Sequence, residues 1–205
     1  ANLSGLTFNG SGDAFDFAAD ASASLNGSND NITCASSDNF SIVGNSNQVT
    51  ANGATGTFNG QSNGWTGNND NFTVTAGSEA SGTGTGDTLH LTDNSNTDLG
   101  VIGANNNVYS NGNNVVFGNN GSTTLYGTNN HIGFWGSDQS LTLESSGNIV
   151  GSLANLTGLT TYASGTTFNF AADANANVTG NSDVINAAAG VSMGLTGTGF
   201  TVNLT

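Results

Sequence analysis

Short runs of alternating apolar and polar residues, each closed by glycine, asparagine or aspartate, recur along this chain at a constant interval. Residues 10–18 read GSGDAFDFA, 27–35 GSNDNITCA and 44–52 GNSNQVTAN. Residues 67–75 read GNNDNFTVT and 84–92 GTGDTLHLT, and the last set is ASGTTFNFA at 163, GNSDVINAA at 180 and GTGFTVNLT at 197. Within each set the units start 17 residues apart, and a middle set, NGNNVVFGN near 110, GTNNHIGFW at 127 and ESSGNIVGS at 144, keeps the spacing. The slips between sets, of 6, 9 and 2 residues, add up to one more period, so the register runs the length of the chain. FDFAADASASL at 15–25 and FNFAADANANV at 168–178 lie 153 residues apart, nine periods. A fixed period of this size marks a solenoid, in which each repeat buries its apolar side against its neighbours.

Between these units lie second alternating segments, among them SASLNG, NFSIVG, TTLYG, SLTLE, NANVTG and SMGLTG. Each coil therefore carries two short strands. The pattern predicts an all-β parallel β-solenoid, a β-roll or β-helix, as one domain over residues 1–205, with about 17 residues per coil and about twelve coils. Side chains alternate faces along a strand. That sets Phe15/Phe17, Ile32/Cys34, Phe72/Val74, Leu89/Leu91, Ile132/Phe134 and Phe168/Phe170 inward on one wall, with Ile185 following the same rule. The facing wall is read as Ala23/Leu25, Phe40/Ile42, Leu141/Leu143, Ala176/Val178 and Met193/Leu195. Glycine, asparagine and aspartate suit the turns and disfavour helix.

Composition adds a strong exclusion. The 205 residues contain no lysine, arginine or proline, and 14 acids stand against two histidines. Phosphate backbones and anionic membranes are held largely through cationic side chains, so nucleic acid is excluded as a partner. The same absence removes every trypsin-type cleavage site, which suits a secreted product at the cell surface or outside the cell. No apolar run reaches the 18 residues of a membrane span. The start lacks a basic stretch leading into an apolar one, as expected of a mature chain whose leader has been removed. Cys34, the single cysteine, falls on the inward face beside Ile32 and is expected to be a buried free thiol.

GTGDTLHLT and GSGDAFDFA resemble the glycine- and aspartate-rich nonapeptides of the bacterial RTX β-roll, in which an aspartate precedes an inward apolar residue. That resemblance implies an extracellular bacterial protein with calcium held in the turns between successive coils. Here the turn is about one residue shorter and the double glycine is missing. Asp13, Asp30, Asp70, Asp87 and Asp183 keep the aspartate, whereas Asn47, Asn106 and Asn130 replace it. Asparagine offers a turn chemistry that needs no ion, because stacked amides donate and accept along a ladder. Ladders are the favoured reading, and no cofactor is required. Calcium is expected, if anywhere, where carboxylates stack on adjacent coils, at Asp13 over Asp30 and Asp70 over Asp87.

Other constellations carry little. His90 and His131 are 41 residues apart, not a multiple of the period, so they do not share a column. No nucleophile-elbow motif is present, and the paired acids lack the cationic groups that β-helix enzymes use on acidic sugars, so the chain is not read as an enzyme. The outward column reads Asp16, Thr33, Thr50, Thr73, His90, Val116, Gly133, Val150, Asn169, Asn186, too irregular for an ice-binding threonine array. Trp65, Trp135 and Tyr109 are read as packing residues rather than sugar-stacking ones.

Solenoids need capping repeats, because an open end exposes unpaired strand edges and apolar side chains. The first strand segment, LTFNG, and the last, FTVNLT, carry no helix, proline or charge cluster to blunt them. The expected function is structural: a subunit of a bacterial extracellular filament or matrix fibre, joined head to tail to copies of itself through Leu3, Leu6 and Phe8 at one end and Phe200, Val202 and Leu204 at the other. The alternative is a calcium-stiffened module of an adhesin or surface-layer protein.

Overall fold

The computed structural model describes residues 4–119, 121–134, 140–152 and 156–205. Among them every regular element is a strand. In chain order these are β1 (Leu6–Asn9), β2 (Ala14–Phe17), β3 (Ser22–Asn26), β4 (Asn31–Cys34), β5 (Asn39–Val43) and β6 (Gln48–Asn52). Next come β7 (Thr55–Asn59), β8 (Asn63–Asn68), β9 (Asn71–Val74), β10 (Glu79–Thr85), β11 (Thr88–Leu91) and β12 (Asp98–Ile102). The third quarter holds β13 (Asn106–Tyr109), β14 (Asn114–Phe117), β15 (Ser122–Tyr126), β16 (His131–Phe134), β17 (Ser140–Leu143) and β18 (Ile149–Ser152). The last holds β19 (Leu159–Tyr162), β20 (Thr167–Phe170), β21 (Asn175–Asn181), β22 (Val184–Ala187), β23 (Ser192–Thr198) and β24 (Thr201–Leu204).

Odd-numbered strands form one 12-stranded sheet and even-numbered strands a second, each in sequential order, so one coil contributes one strand to each wall. All pairings are parallel. Most join residues 17 apart, as Ala14 joins Asn31, but Val43 pairs with Asn59 and Ser140 with Thr160, offsets of 16 and 20. The predicted parallel β-solenoid is the observed fold. Among the described residues no helix is long and apolar enough to cross a membrane.

The core is one stripe between the walls, and Ile32, Phe72, Leu89, Ile132, Phe168 and Ile185 all lie in it, fully or almost fully buried. Phe15, in the first full coil, is half-buried against the cluster. Two glycines make room in this stripe: a Cβ on Gly56 would strike the Phe40 ring, and one on Gly82 the Trp65 indole. Trp65 is therefore a core residue, packed 5.8 Å from Phe72; Trp135 lies outside the described residues.

The wall assignment needs correction. Phe72/Val74 on β9 and Leu89/Leu91 on β11 belong to the odd sheet with Ala23/Leu25, not to the wall of Phe15/Phe17. The nine-residue unit fits either corner of the coil, and the slips of 6 and 9 residues mark where it changes corner. Each slip turns one period into about one and a half coils. The outward column changes as well: Thr33, Thr50, Thr66 and Thr83 stack consecutively on the even sheet, while Thr73 and His90 continue Thr57 on the odd one. His90 and His131 fall on different sheets.

Candidate functional site

The chemistry of this chain is concentrated at its two corners. At nearly every corner a residue in the left-handed conformation precedes the side chain that turns inward: Asn29 (φ 61°) before Asp30, Ser46 (φ 59°) before Asn47, Asn69 (φ 58°) before Asp70, Asn129 (φ 58°) before Asn130. Asparagine and serine tolerate this conformation because their side chains bond locally. The bend rotates the next side chain into the rod, where Asp30, Asn47, Asn63, Asp70, Asp87, Asn106, Asn113, Asn130, Asn148 and Asp183 are all buried.

Each of these side chains accepts a backbone N–H from the preceding coil. At the odd-to-even corner Asp13 N–H donates to Asp30 Oδ1 at 3.0 Å, Asp30 N–H to Asn47 Oδ1 at 2.9 Å, and Asn47 N–H to Asn63 Oδ1 at 3.0 Å. Asn113 and Asn130 extend the pattern through Asn130 and Asn148, at 3.2 and 3.0 Å. At the other corner Ala54 N–H donates to Asp70 Oδ1, Asp70 N–H to Asp87 Oδ1 and Asp87 N–H to Asn106 Oδ1, at 2.9, 3.1 and 2.8 Å. The backbone donors that the turns would otherwise leave buried and unpaired are satisfied in this way.

Asparagine completes the bond set with its amide. Asn47 Nδ2 donates to Gly27 O at 3.1 Å, Asn63 Nδ2 to Gly44 O at 3.0 Å and Asn106 Nδ2 to Gly84 O at 3.1 Å. The expected ladder of amide on amide is thus a ladder of side chain on backbone inside the rod. Among the described residues one buried amide pair occurs, Asn130 Nδ2 to Asn148 Oδ1 at 3.1 Å. Amide-on-amide ladders lie on the outer surface, as in Asn169, Asn186 and Asn203 at 2.7 and 2.8 Å.

Aspartate fits less well. A Cβ built on Gly67 or Gly180 would meet both a carbonyl from the coil before and Oδ2 of Asp70 or Asp183, so these oxygens crowd the place where asparagine puts its amide. Asp70 Oδ2 and Asp183 Oδ2 have no hydrogen-bond partner, whereas Asp87 Oδ2 accepts from Trp65 Nε1 at 3.3 Å. Burial raises all three carboxyls, Asp70 to about 6 from an ordinary 3.8, with a smaller contribution from the neighbouring Asp87. Below pH ~4 Asp70 is protonated in both folded and unfolded chains; between ~4 and ~6 only the unfolded chain releases the proton. Stability should therefore fall by about 3 kcal/mol as pH rises through this window and level off above it. Asp70→Asn should raise stability at pH 7 and flatten that slope, measured by chemical denaturation at pH 4 and pH 7. An unchanged slope would show that Asp70 is ionised in the fold.

The four aspartates singled out for calcium form two separate pairs at opposite corners, Asp13 with Asp30 and Asp70 with Asp87. Asp13 is exposed; the other three are buried, with Oδ1 taken by an N–H. A calcium ion uses six to eight oxygens, and among the described residues no three His, Cys, Asp or Glu side chains gather into such a set.

Sequence reasoning missed Asp38, Asn63, Asn113 and Asn148 as members of the ladders. The signal that finds them is a residue able to turn left-handed followed directly by Asp or Asn, as in Ser37-Asp38, Ser62-Asn63, Gly112-Asn113 and Gly147-Asn148. Cys34 is buried as expected, its thiol pushed up to about 12 by burial and by the nearby Asp38 and Asp70. Tyr109 is exposed rather than packed in the core. Its ring lies stacked between His90 and Tyr126, with centroids 4.7 Å away on either side, so its faces are taken by its own column.

The two ends are the second candidate site. On the even sheet Phe168, Ile185 and Val202 share a column, and so do Phe170, Ala187 and Leu204. Phe168 and Ile185 are wholly buried while Val202 is 42% exposed, and Leu204 is 80% exposed where Ala187 is buried. Phe200 is half-buried. At the other end Leu6 and Phe8 are half-buried, with the Phe8 ring 4.9 Å from Phe15; Leu3 lies outside the described residues. Against known proteins, the chain matches no protein family, no curated sequence and no solved structure.

Proposed function

We propose that this chain is a structural protein, a secreted bacterial β-solenoid that builds a filament or matrix fibre by stacking copies end to end. The observation that carries this reading is the change along the last coils of two columns, where Phe168 and Ile185 are wholly buried but Val202 is 42% exposed, and Phe170 and Ala187 are buried but Leu204 is 80% exposed. A further coil would cover them and pair the free edges of β23 and β24. Such a contact joins two different surfaces, so it does not close on itself and produces an open fibre.

The net charge of −14 opposes close approach of two rods, and salt screens that repulsion. The purified chain should form long, uniform fibres in electron micrographs, sooner at high salt than at low salt. Persistence as a monomer at high concentration, or fibres joined through the sides of the rod, would refute the reading. The runner-up, an RTX-like module of an adhesin or surface-layer protein stiffened by calcium, is weakened by the N–H groups that already occupy Oδ1 of Asp30, Asp70 and Asp87. Chelator is expected to leave the β-sheet circular dichroism unchanged; its loss on adding chelator would favour the runner-up.

A further inference from the structure

Two rods with two walls each can join in two ways, with like walls continuing or with one rod turned by half a coil. We propose that the rods join in phase, β24 of one copy pairing with β2 of the next and β23 with β1, so that the 17-residue register crosses the junction unbroken. This rests on the end-to-end reading above.

The last full pairings on each wall are Val184 with Thr201 and Ala176 with Met193, and the first are Ala14 with Asn31 and Leu6 with Ala23, all 17 apart. Twelve such periods make 204 residues. Carrying the offset on by one period sets Val202 against Phe15, Leu204 against Phe17, Met193 against Leu6 and Leu195 against Phe8. Apolar positions thus meet apolar positions on both walls. The polar column also continues, with Asn181 and Thr198 leading to Ser11 and Ser28. Inside the rod this column is bonded coil to coil: Thr198 N–H donates to Asn181 Oδ1 at 3.0 Å and Ser28 N–H to Ser11 Oγ at 3.0 Å.

Glycine decides between the two joins. At Gly27, Gly44, Gly180 and Gly197 a Cβ would collide with a backbone carbonyl of the coil before, so these four positions exclude a side chain. The residue that lands on the Gly197 carbonyl in phase is Gly10. Within its own chain Gly10 has no such neighbour, since a Cβ there would meet only the carboxylate of Asp13, the end of a flexible side chain. The half-turned join, with Phe15 and Phe17 over Met193 and Leu195, would bring Ala19 to that place and drive its Cβ at the carbonyl.

Paired cysteines on outward positions read the register. In phase, Asn203→Cys of one copy lies beside Asp16→Cys of the next; in the half-turned join it lies beside Thr7→Cys. All three positions are exposed, and Cys34 is buried and silent. A short thiol cross-linker should give a ladder of covalent multimers from N203C/D16C and none from N203C/T7C. The reverse result, with fibres intact, would overturn the in-phase register and leave the end-to-end reading standing. If neither variant nor the parent chain forms fibres, the end-to-end reading fails and the register with it. Gly10→Ala gives an independent check: circular dichroism should match the parent while elongation is lost. Elongation at the parent rate would also overturn the in-phase join.

Discussion

Ile132→Asp is expected to destroy the cooperative folding of the central coils. Ile132 is 2% exposed and sits in a column between Val115 and Val150, in a core bounded by just two walls. A carboxylate placed there has no partner and no route to water, and an unpaired buried charge costs several kcal/mol beyond the ~2–5 kcal/mol of the lost side chain. Because each coil touches only its neighbours, the damage is not spread over distant contacts. The thermal transition followed by circular dichroism should broaden and fall steeply, and hydrogen exchange should quicken first in β14, β16 and β18. Part of the loss should return as pH falls to ~4, because the buried acid keeps its proton at pH values where the unfolded chain releases it. Ile132→Val should cost no more than ~1.5 kcal/mol. A variant with Asp at 132 that melts within a few degrees of the parent would disprove the buried placement of this wall.

Asn130→Ala should be the most damaging single change outside the apolar stripe. The Asn130 amide donates to Ser110 O at 2.7 Å and to Asn148 Oδ1 at 3.1 Å. Its Oδ1 accepts from Asn113 N–H at 3.2 Å and from Ser110 Oγ–H at 2.9 Å. Alanine removes all four bonds and strands buried groups in two coils, each costing ~1–3 kcal/mol, so a total of about 3–5 kcal/mol is expected from denaturant titration. Asn26→Ala supplies the control: its amide bonds Asn9 Oδ1 at 3.0 Å on the exposed surface, and its loss should fall within ~0.5 kcal/mol. Equal effects of the two changes would mean that the inner ladder is no stronger than the outer one.

The sequence by itself determined the period, the parallel two-strand coil and the identity of the inward residues, because alternation in a strand and a fixed repeat are local properties that neighbouring coils only reinforce. Ile32, Phe72, Leu89 and Ile185 could be assigned to the core without coordinates for that reason. It also marked the corners through their glycine, asparagine and aspartate runs, although the left-handed residue ahead of each inward Asp or Asn emerged only in the structure. Only the tertiary structure decided which wall each strand joined. The nine-residue unit fits both corners equally, so at 67 and again near 110 it changed corner without any change in its own letters. Tertiary structure also decided the turn chemistry. Asp70 and Asp87 resemble calcium ligands when read in line, but the fold sets each beneath a backbone N–H of the coil before and seals it from water. A carboxylate placed there accepts that N–H, with Trp65 a second donor at Asp87, and is raised by burial, which the sequence of one coil cannot express because the donors lie in the coil before.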